Sequence, residues 1–212
     1  MHRGIRRTAA TRWTIREAAA IADLPAKMIR NVIDREGLQL SPSHHGRSDE
    51  RHLFTLRDLM FLKLLGEFPF ALSKEDKAAL EELVRGRKPT ASRWRMEGAA
   101  LIFHAGSLII QVNYGQLRER LARHAAAFHW GERRLAVDLA AHQSGPVFRG
   151  TRTSLDQVSA AIRAGENDEE LALRFPGLSQ TDIDYSRIHA RLGKRVGRPR
   201  KPLSVREVAQ AA

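Results

Sequence analysis

Eight residues, Gly145-Pro146-Val147-Phe148-Arg149-Gly150-Thr151-Arg152, and the forty or so after them constrain this chain most. A short apolar strand runs into a glycine turn, and three helix-start signals follow in quick succession. Ser154-Leu155-Asp156-Gln157 predicts a capped helix to about Ala164, ended by Gly165. Asp168 starts a second helix to about Phe175, stopped by Pro176-Gly177, and Ser179-Gln180-Thr181-Asp182 caps a third to about Leu192. This is the layout of a small helix-turn-helix unit.

The N-terminal half repeats the pattern. After a basic arm over residues 1–11, Thr14-Ile15-Arg16-Glu17 is a capping box that opens an Ala-rich helix to about Ala22. Pro25 suits a first helical turn, and the next helix runs to about Glu36, where Gly37 stops it. Its apolar positions, Met28, Ile29, Val32 and Ile33, share one face. Residues 41–52 read as a polar loop or wing. Thr55-Leu56-Arg57-Asp58 opens a largely buried helix over 55–66, and Ser73 opens another to about Val84. A basic linker, 85–93, contains Pro89.

The period then changes. Residues 94–104 and 108–114 are β-like and flank Ala105-Gly106-Ser107, which predicts a hairpin. An amphipathic helix is expected from about Gln116 to Phe128, and Trp130 to Leu139 reads as strand or loop. The fold class is therefore mainly α with a small β-hairpin, carrying two helix-turn-helix-like domains. The divisions are 1–89, a winged helix-turn-helix with a helical extension; 90–135, a hairpin and helix connector; 136–192, a trihelical domain; and 193–212, a basic extended tail. The hairpin's apolar edges make it the candidate dimer interface.

Composition narrows the class. A chain of 212 residues, 42% hydrophobic, can bury a real core. The longest apolar cluster, Leu59 to Leu65, is broken by Lys63 and is too short for a membrane span. No apolar stretch follows the basic start, so no secretory signal is expected. There is no cysteine, which excludes disulfides and thiolate zinc sites and fits a cytoplasmic protein. The net charge of +12 attracts polyanions.

The C-terminal motif resembles the DUF433 family of domains of unknown function. The shared wording is Gly145, Pro146, Gly150, Thr151 and Arg152, then Gly165, Asp168-Glu169-Glu170, Phe175-Pro176-Gly177-Leu178 and Asp182-Ile183. The family's usual acidic-Pro strand before the turn is replaced by Ala141-His142-Gln143-Ser144. That family resembles antitoxins of VapBC-like toxin–antitoxin pairs. The resemblance implies a PIN-type ribonuclease toxin and operator DNA as partners. A homodimer, or a higher hetero-oligomer with the toxin, is expected because helix-turn-helix proteins usually read paired half-sites. Residues 13–66 resemble a MerR-type winged helix-turn-helix through Trp13-Thr14-Ile15-Arg16-Glu17-Ala18-Ala19 and Phe54-Thr55-Leu56-Arg57-Asp58-Leu59. Nothing resembles the sensing half of such regulators, so no effector is implied.

Candidate DNA-binding residues follow from chemistry. The second helix of a helix-turn-helix meets base edges, and Lys27, Arg30, Asn31 and Arg35 lie on one side of residues 25–36. Arginine pairs with guanine and asparagine with adenine. In the wing, Arg47 and Arg51 suit phosphate contact. His44, His45 and His52 lack the ordered frame a metal site needs.

The last helix offers Ser179, Gln180, Thr181, Arg187 and Arg191, but Asp182 and Asp184 would repel phosphate there. Its alternative is a protein-binding or dimerising role. The tail carries Lys194, Arg195, Arg198, Arg200 and Lys201. Gly197-Arg198-Pro199-Arg200 suits a narrow minor groove, whereas guanidinium entering a nuclease's carboxylate cluster suits toxin contact. Apolar Val196, Leu203, Val205 and Val208 favour the toxin.

No Gly-x-Ser-x-Gly elbow or Walker loop occurs, and the carboxylates cluster at helix starts, where the helix dipole accounts for them. The chain is therefore expected to be no enzyme and to need no cofactor or metal. Its expected function is an antitoxin that also represses its own operon. The alternative is a stand-alone helix-turn-helix transcription regulator.

Overall fold

The structure, a computed structural model, describes residues 12–36, 53–68, 70–89, 93–136 and 145–192, with backbone alone at 35 and 36. Helix α1 (Ile15–Ala22) begins at Thr14, whose amide donates to Glu17 Oε2 at 2.8 Å while the Glu17 amide donates to Thr14 Oγ1 at 3.4 Å. It ends at Asp23, which takes a left-handed conformation with φ of 54°. Pro25 then leads into α2 (Ala26–Glu36), which buries Ile29 and Val32 and exposes the opposite face.

An antiparallel bridge joins Trp13 to Phe54 through amide–carbonyl bonds of 3.0 and 2.8 Å. It delivers the chain to α3 (Leu56–Glu67), capped by Thr55 and Asp58. Helix α4 (Lys74–Val84) starts at Ser73, with buried Asp76 at its third position. Asp76 receives the Arg93 guanidinium, and its carbonyl accepts from Trp94 Nε1 at 2.8 Å.

Trp94 opens a three-stranded antiparallel sheet of β1 (Trp94–Glu97), β2 (Ala100–Ala105) and β3 (Leu108–Asn113), in that order. The sequence predicts one strand over 94–104, but Gly98, at φ 59°, turns the chain and makes it two. Phe68, Trp94 and Phe103 then stack, with Trp94 and Phe103 ring centroids 4.4 Å apart, and tie the sheet to the end of α3.

Helix α5 (Tyr114–Arg134) is longer than its apolar period predicts. It continues through Trp130, a stretch read above as strand or loop, because Ala127, Phe128 and Gly131 extend its buried stripe. A Cβ at Gly131 would lie 2.0 Å from the Tyr185 ring, so this glycine is a packing surface rather than a stop. A two-residue ladder follows, between β4 (Leu135–Ala136) and β5 (Val147–Phe148).

The glycine turn at Gly150 (φ 78°) leads to α6 (Leu155–Arg163), α7 (Asp168–Arg174) and α8 (Gln180–Leu192). Ser154 and Gln157 form the expected capping box. For α7 the cap is Asn167, one residue before the predicted start, accepting from the amides of Glu169 and Glu170.

The fold is thus mainly α with a small antiparallel sheet. The main hydrophobic core runs from Trp13 and the α1 alanines through Leu59, Leu64 and Leu121 to Phe148, Tyr185 and Ile188, and a small second cluster joins Ala161, Leu171 and Ile183 between α6, α7 and α8. Helices α5 and α8 are its spine. α8 packs against α5, α6 and α1, so the two trihelical segments share apolar contacts directly. No described helix is long and apolar enough to cross a membrane.

Candidate nucleic-acid interface

Helix α2 turns its apolar side inward because Ile29 and Val32 recur at one helical face, with Met28 and Ile33 half-buried beside them. The same periodicity turns Lys27, Arg30, Asn31 and Asp34 outward, all exposed. Three of the six predicted DNA-binding residues are therefore brought together on one free face. The Arg35 side chain, Arg47 and Arg51 lie outside the described residues. Among the described residues neither Lys27 nor Arg30 forms an ion pair, whereas Asp34 puts one acid on the same face.

The α1–α2 turn is held from an unforeseen direction. Arg16 donates from Nε and Nη2 to the Leu192 carbonyl at 2.9 and 2.5 Å, satisfying an orphan carbonyl at the end of α8. Arg191 reaches back to Asp23 Oδ1 at 3.2 Å and to the Ala20 carbonyl at 3.3 Å. Together they latch the end of α8 to the turn ahead of α2. A cleft of about 560 Å³ opens there, lined by Arg16, Asp23, Pro25, Arg30 and Arg191 among others. Leu192, the last described residue, is therefore held beside the N-terminus of α2. Lys194, Arg195, Arg198, Arg200 and Lys201 themselves lie outside the described residues.

The second predicted set behaves differently. Ser179 is the α8 cap: its amide and hydroxyl both donate to Asp182 Oδ2, at 3.0 and 2.8 Å. Gln180 donates to Asp184 Oδ1 at 3.4 Å, and Thr181 is exposed. Arg187 pairs with Asp168 at the start of α7 at 2.5 Å, and Arg191 belongs to the latch. The tip residues and the two arginines do not form one free cationic face. With Ile183, Tyr185, Ser186 and Ile188 all buried, α8 is a core helix.

Asp182 is not a phosphate-repelling surface acid, as its sequence position suggests. It is fully buried and receives Arg134 Nε and Nη2 at 3.3 Å each. Burial pushes its carboxyl up, but hydrogen bonds from Arg134 and Ser179 outweigh that and hold it below the ordinary carboxylate range. Asp184 is engaged too, with Arg123 at 3.7 Å.

Arg16, Asp23 and Arg134 carry these arrangements, yet no sequence signal singles them out, because their partners lie 176, 168 and 48 residues away. Among the described residues no group of three or more His, Asp or Glu side chains could hold a metal ion. The wing histidines His44, His45 and His52 lie outside those residues.

No curated protein and no solved structure matches the chain. One family model does match: residues 139–186, which hold the Gly150 turn, α6, α7 and the first half of α8, fit the family described as a protein of unknown function, DUF433.

Proposed function

We propose that this chain is a DNA-binding antitoxin. It would neutralise a PIN-type ribonuclease by direct contact and repress its own operon. The observation that carries the DNA half is the free face of α2, with Lys27, Arg30 and Asn31 exposed behind a capped first helix and a tight turn. In this docking Arg30 pairs with a guanine edge, Asn31 with an adenine edge, and Lys27 with phosphate. The net charge of +12 steers the encounter.

The toxin half rests on the DUF433 match at residues 139–186 and on that family's resemblance to antitoxins. The basic tail then supplies guanidinium groups to the carboxylates of the nuclease.

A second reading, a transcription regulator without a toxin, is favoured by the latch. It holds Leu192, next to which the tail begins in sequence, beside α2, and in this reading Arg198 and Arg200 would extend the DNA contact into a minor groove.

One experiment separates the two. The chain is co-expressed with the product of the adjacent reading frame, purified, and titrated with its upstream DNA. Co-purification of a small acidic protein that cleaves RNA only when this chain is absent supports the antitoxin. A chain that purifies alone and still shifts the DNA is a regulator. A chain that shifts no DNA, or whose affinity does not fall with salt, defeats the α2 assignment.

A further inference from the structure

The two edges of the three-stranded sheet are unlike. The β1 edge is guarded by charge: Arg95 and Glu97 are exposed and pair with each other at 3.1 Å. The β3 edge reads Leu108-Ile109-Ile110-Gln111-Val112-Asn113, with no ionisable residue. Leu108 is 51% exposed and Ile109 61% exposed. An edge strand that is unpaired among the described residues, charge-free and half β-branched is a template for further pairing, and natural sheets place charge or proline on edges meant to stay single. Here one edge carries that protection and the other does not.

The chemistry of the strand identifies its occupant. Two chains at +12 meet without added local repulsion at this neutral strand, where screening by salt leaves the apolar pairing to decide. The strand is also self-complementary. A twofold axis perpendicular to the sheet runs two β3 strands antiparallel and keeps the core-facing sides together. Side chains alternate along a strand, so only residues of the same face can pair, and a residue at the axis must meet itself.

Phe103 pairs with Ile110 and Leu101 with Val112, so Leu108, Ile110 and Val112 share the core face. With the axis at Ile110, Leu108 meets Val112 of the second copy, Ile110 meets Ile110, and Ile109 meets Gln111. Every core-face pair is then apolar.

We propose that β3 pairs antiparallel with β3 of a second copy, about a twofold centred on Ile110, to make one continuous six-stranded sheet. The pairing rests on the sheet alone and stands whether or not α2 binds DNA.

The chain has no cysteine, so a single introduced thiol is unique. Residues directly opposed across an antiparallel pair have Cα atoms about 4.5–5.5 Å apart, within disulfide range. In full-length Ile110→Cys, mild oxidation gives a covalent dimer on a non-reducing gel. Ile102→Cys, on the central strand, does not. Ile109→Lys changes an exposed side chain, leaves the core intact, and converts the dimer to a single chain of 23.9 kDa by sedimentation equilibrium.

Three results overturn the proposal. One is an unmodified chain that sediments as a monomer up to about 100 µM, on the order of a weak association of 5–6 kcal/mol. Another is a dimer unchanged in Ile109→Lys. The third, a dimer lost in Ile109→Lys with no disulfide in Ile110→Cys, overturns the Ile110-centred register.

Discussion

Helices α2 and α8 are the two candidate reading helices, the second of the first trihelical pattern and the last of the second, yet they are packed differently. α2 buries a single stripe and leaves Lys27, Arg30 and Asn31 free. α8 is gripped by α1, α5 and α6, and its arginines are spent on Asp168 and Asp23. Helical spacing alone does not separate a groove-reading helix from a core helix. The number of neighbours does: one packed side leaves a surface for a ligand, and several leave none. A shared sequence layout therefore leaves an exposed polar face, the one proposed to bind DNA, in one half of the chain and a buried scaffold in the other.

The largest expected effect breaks the scaffold side. Gly131→Leu drives a side chain into the Tyr185 ring, with no space for it at 2.0 Å. Separation of α5 from α8 should lower stability by about 3 kcal/mol or more, the upper range for overpacking. Urea denaturation checks it, and a midpoint within error of the parent would mean that α8 is not seated as described.

The interface side should respond in binding alone. Arg30→Ala with Asn31→Ala should weaken specific DNA binding by about 1–3 kcal/mol per lost base contact, while the melting temperature stays within error. The corresponding pair on α8, Gln180→Ala with Thr181→Ala, should leave DNA affinity unchanged in the same gel-shift assay. Equal losses from both pairs would erase the distinction between the helices.

Asp182→Ala removes the acceptor of the Ser179 cap and of Arg134 together. The expected cost is about 2–3 kcal/mol, that of charged hydrogen bonds left unmade. In the parent protein the folded carboxyl lies below its unfolded value of about 3.9, so its contribution is complete above that pH and is lost as pH falls through the lower folded value.

The smallest effect concerns two histidines, His124 on α5 and His189 on α8. Burial is the main force lowering both His124 and His189; the Ile21 carbonyl opposes it at His124, and Asp156 opposes it at His189. With folded values below about 6.5, they bind fewer protons than the unfolded chain does. Stability should decline as pH drops below about 6.5, and His124→Gln with His189→Gln should flatten that decline in a pH series of urea midpoints.

Much of the local structure was legible in the residues. The boxes Thr14–Glu17, Thr55–Asp58 and Ser154–Gln157 form as their spacing predicts, since each needs only partners three residues apart. The DUF433 wording was legible for the same reason, being a string of turns and caps. The site was legible in part. Lys27, Arg30 and Asn31 follow from the period of one helix, but whether that face is free depends on what packs elsewhere. The split of 94–104 into two strands and the extension of α5 past Phe128 were not legible. A glycine at 98 turns the chain, whereas a glycine at 131 receives a ring, and only the neighbouring elements distinguish them.

By itself the sequence determined where the capped helices start, the mainly α class and the cationic character. These depend on interactions within a helical turn or on summed charge. The tertiary structure decided which of α2 and α8 is exposed, that Arg16 and Arg191 bind the end of the last helix to the first turn, and that one sheet edge is left without charge. Those features join residues up to 176 positions apart, and no local propensity encodes which distant surfaces will meet when the chain buries its apolar area.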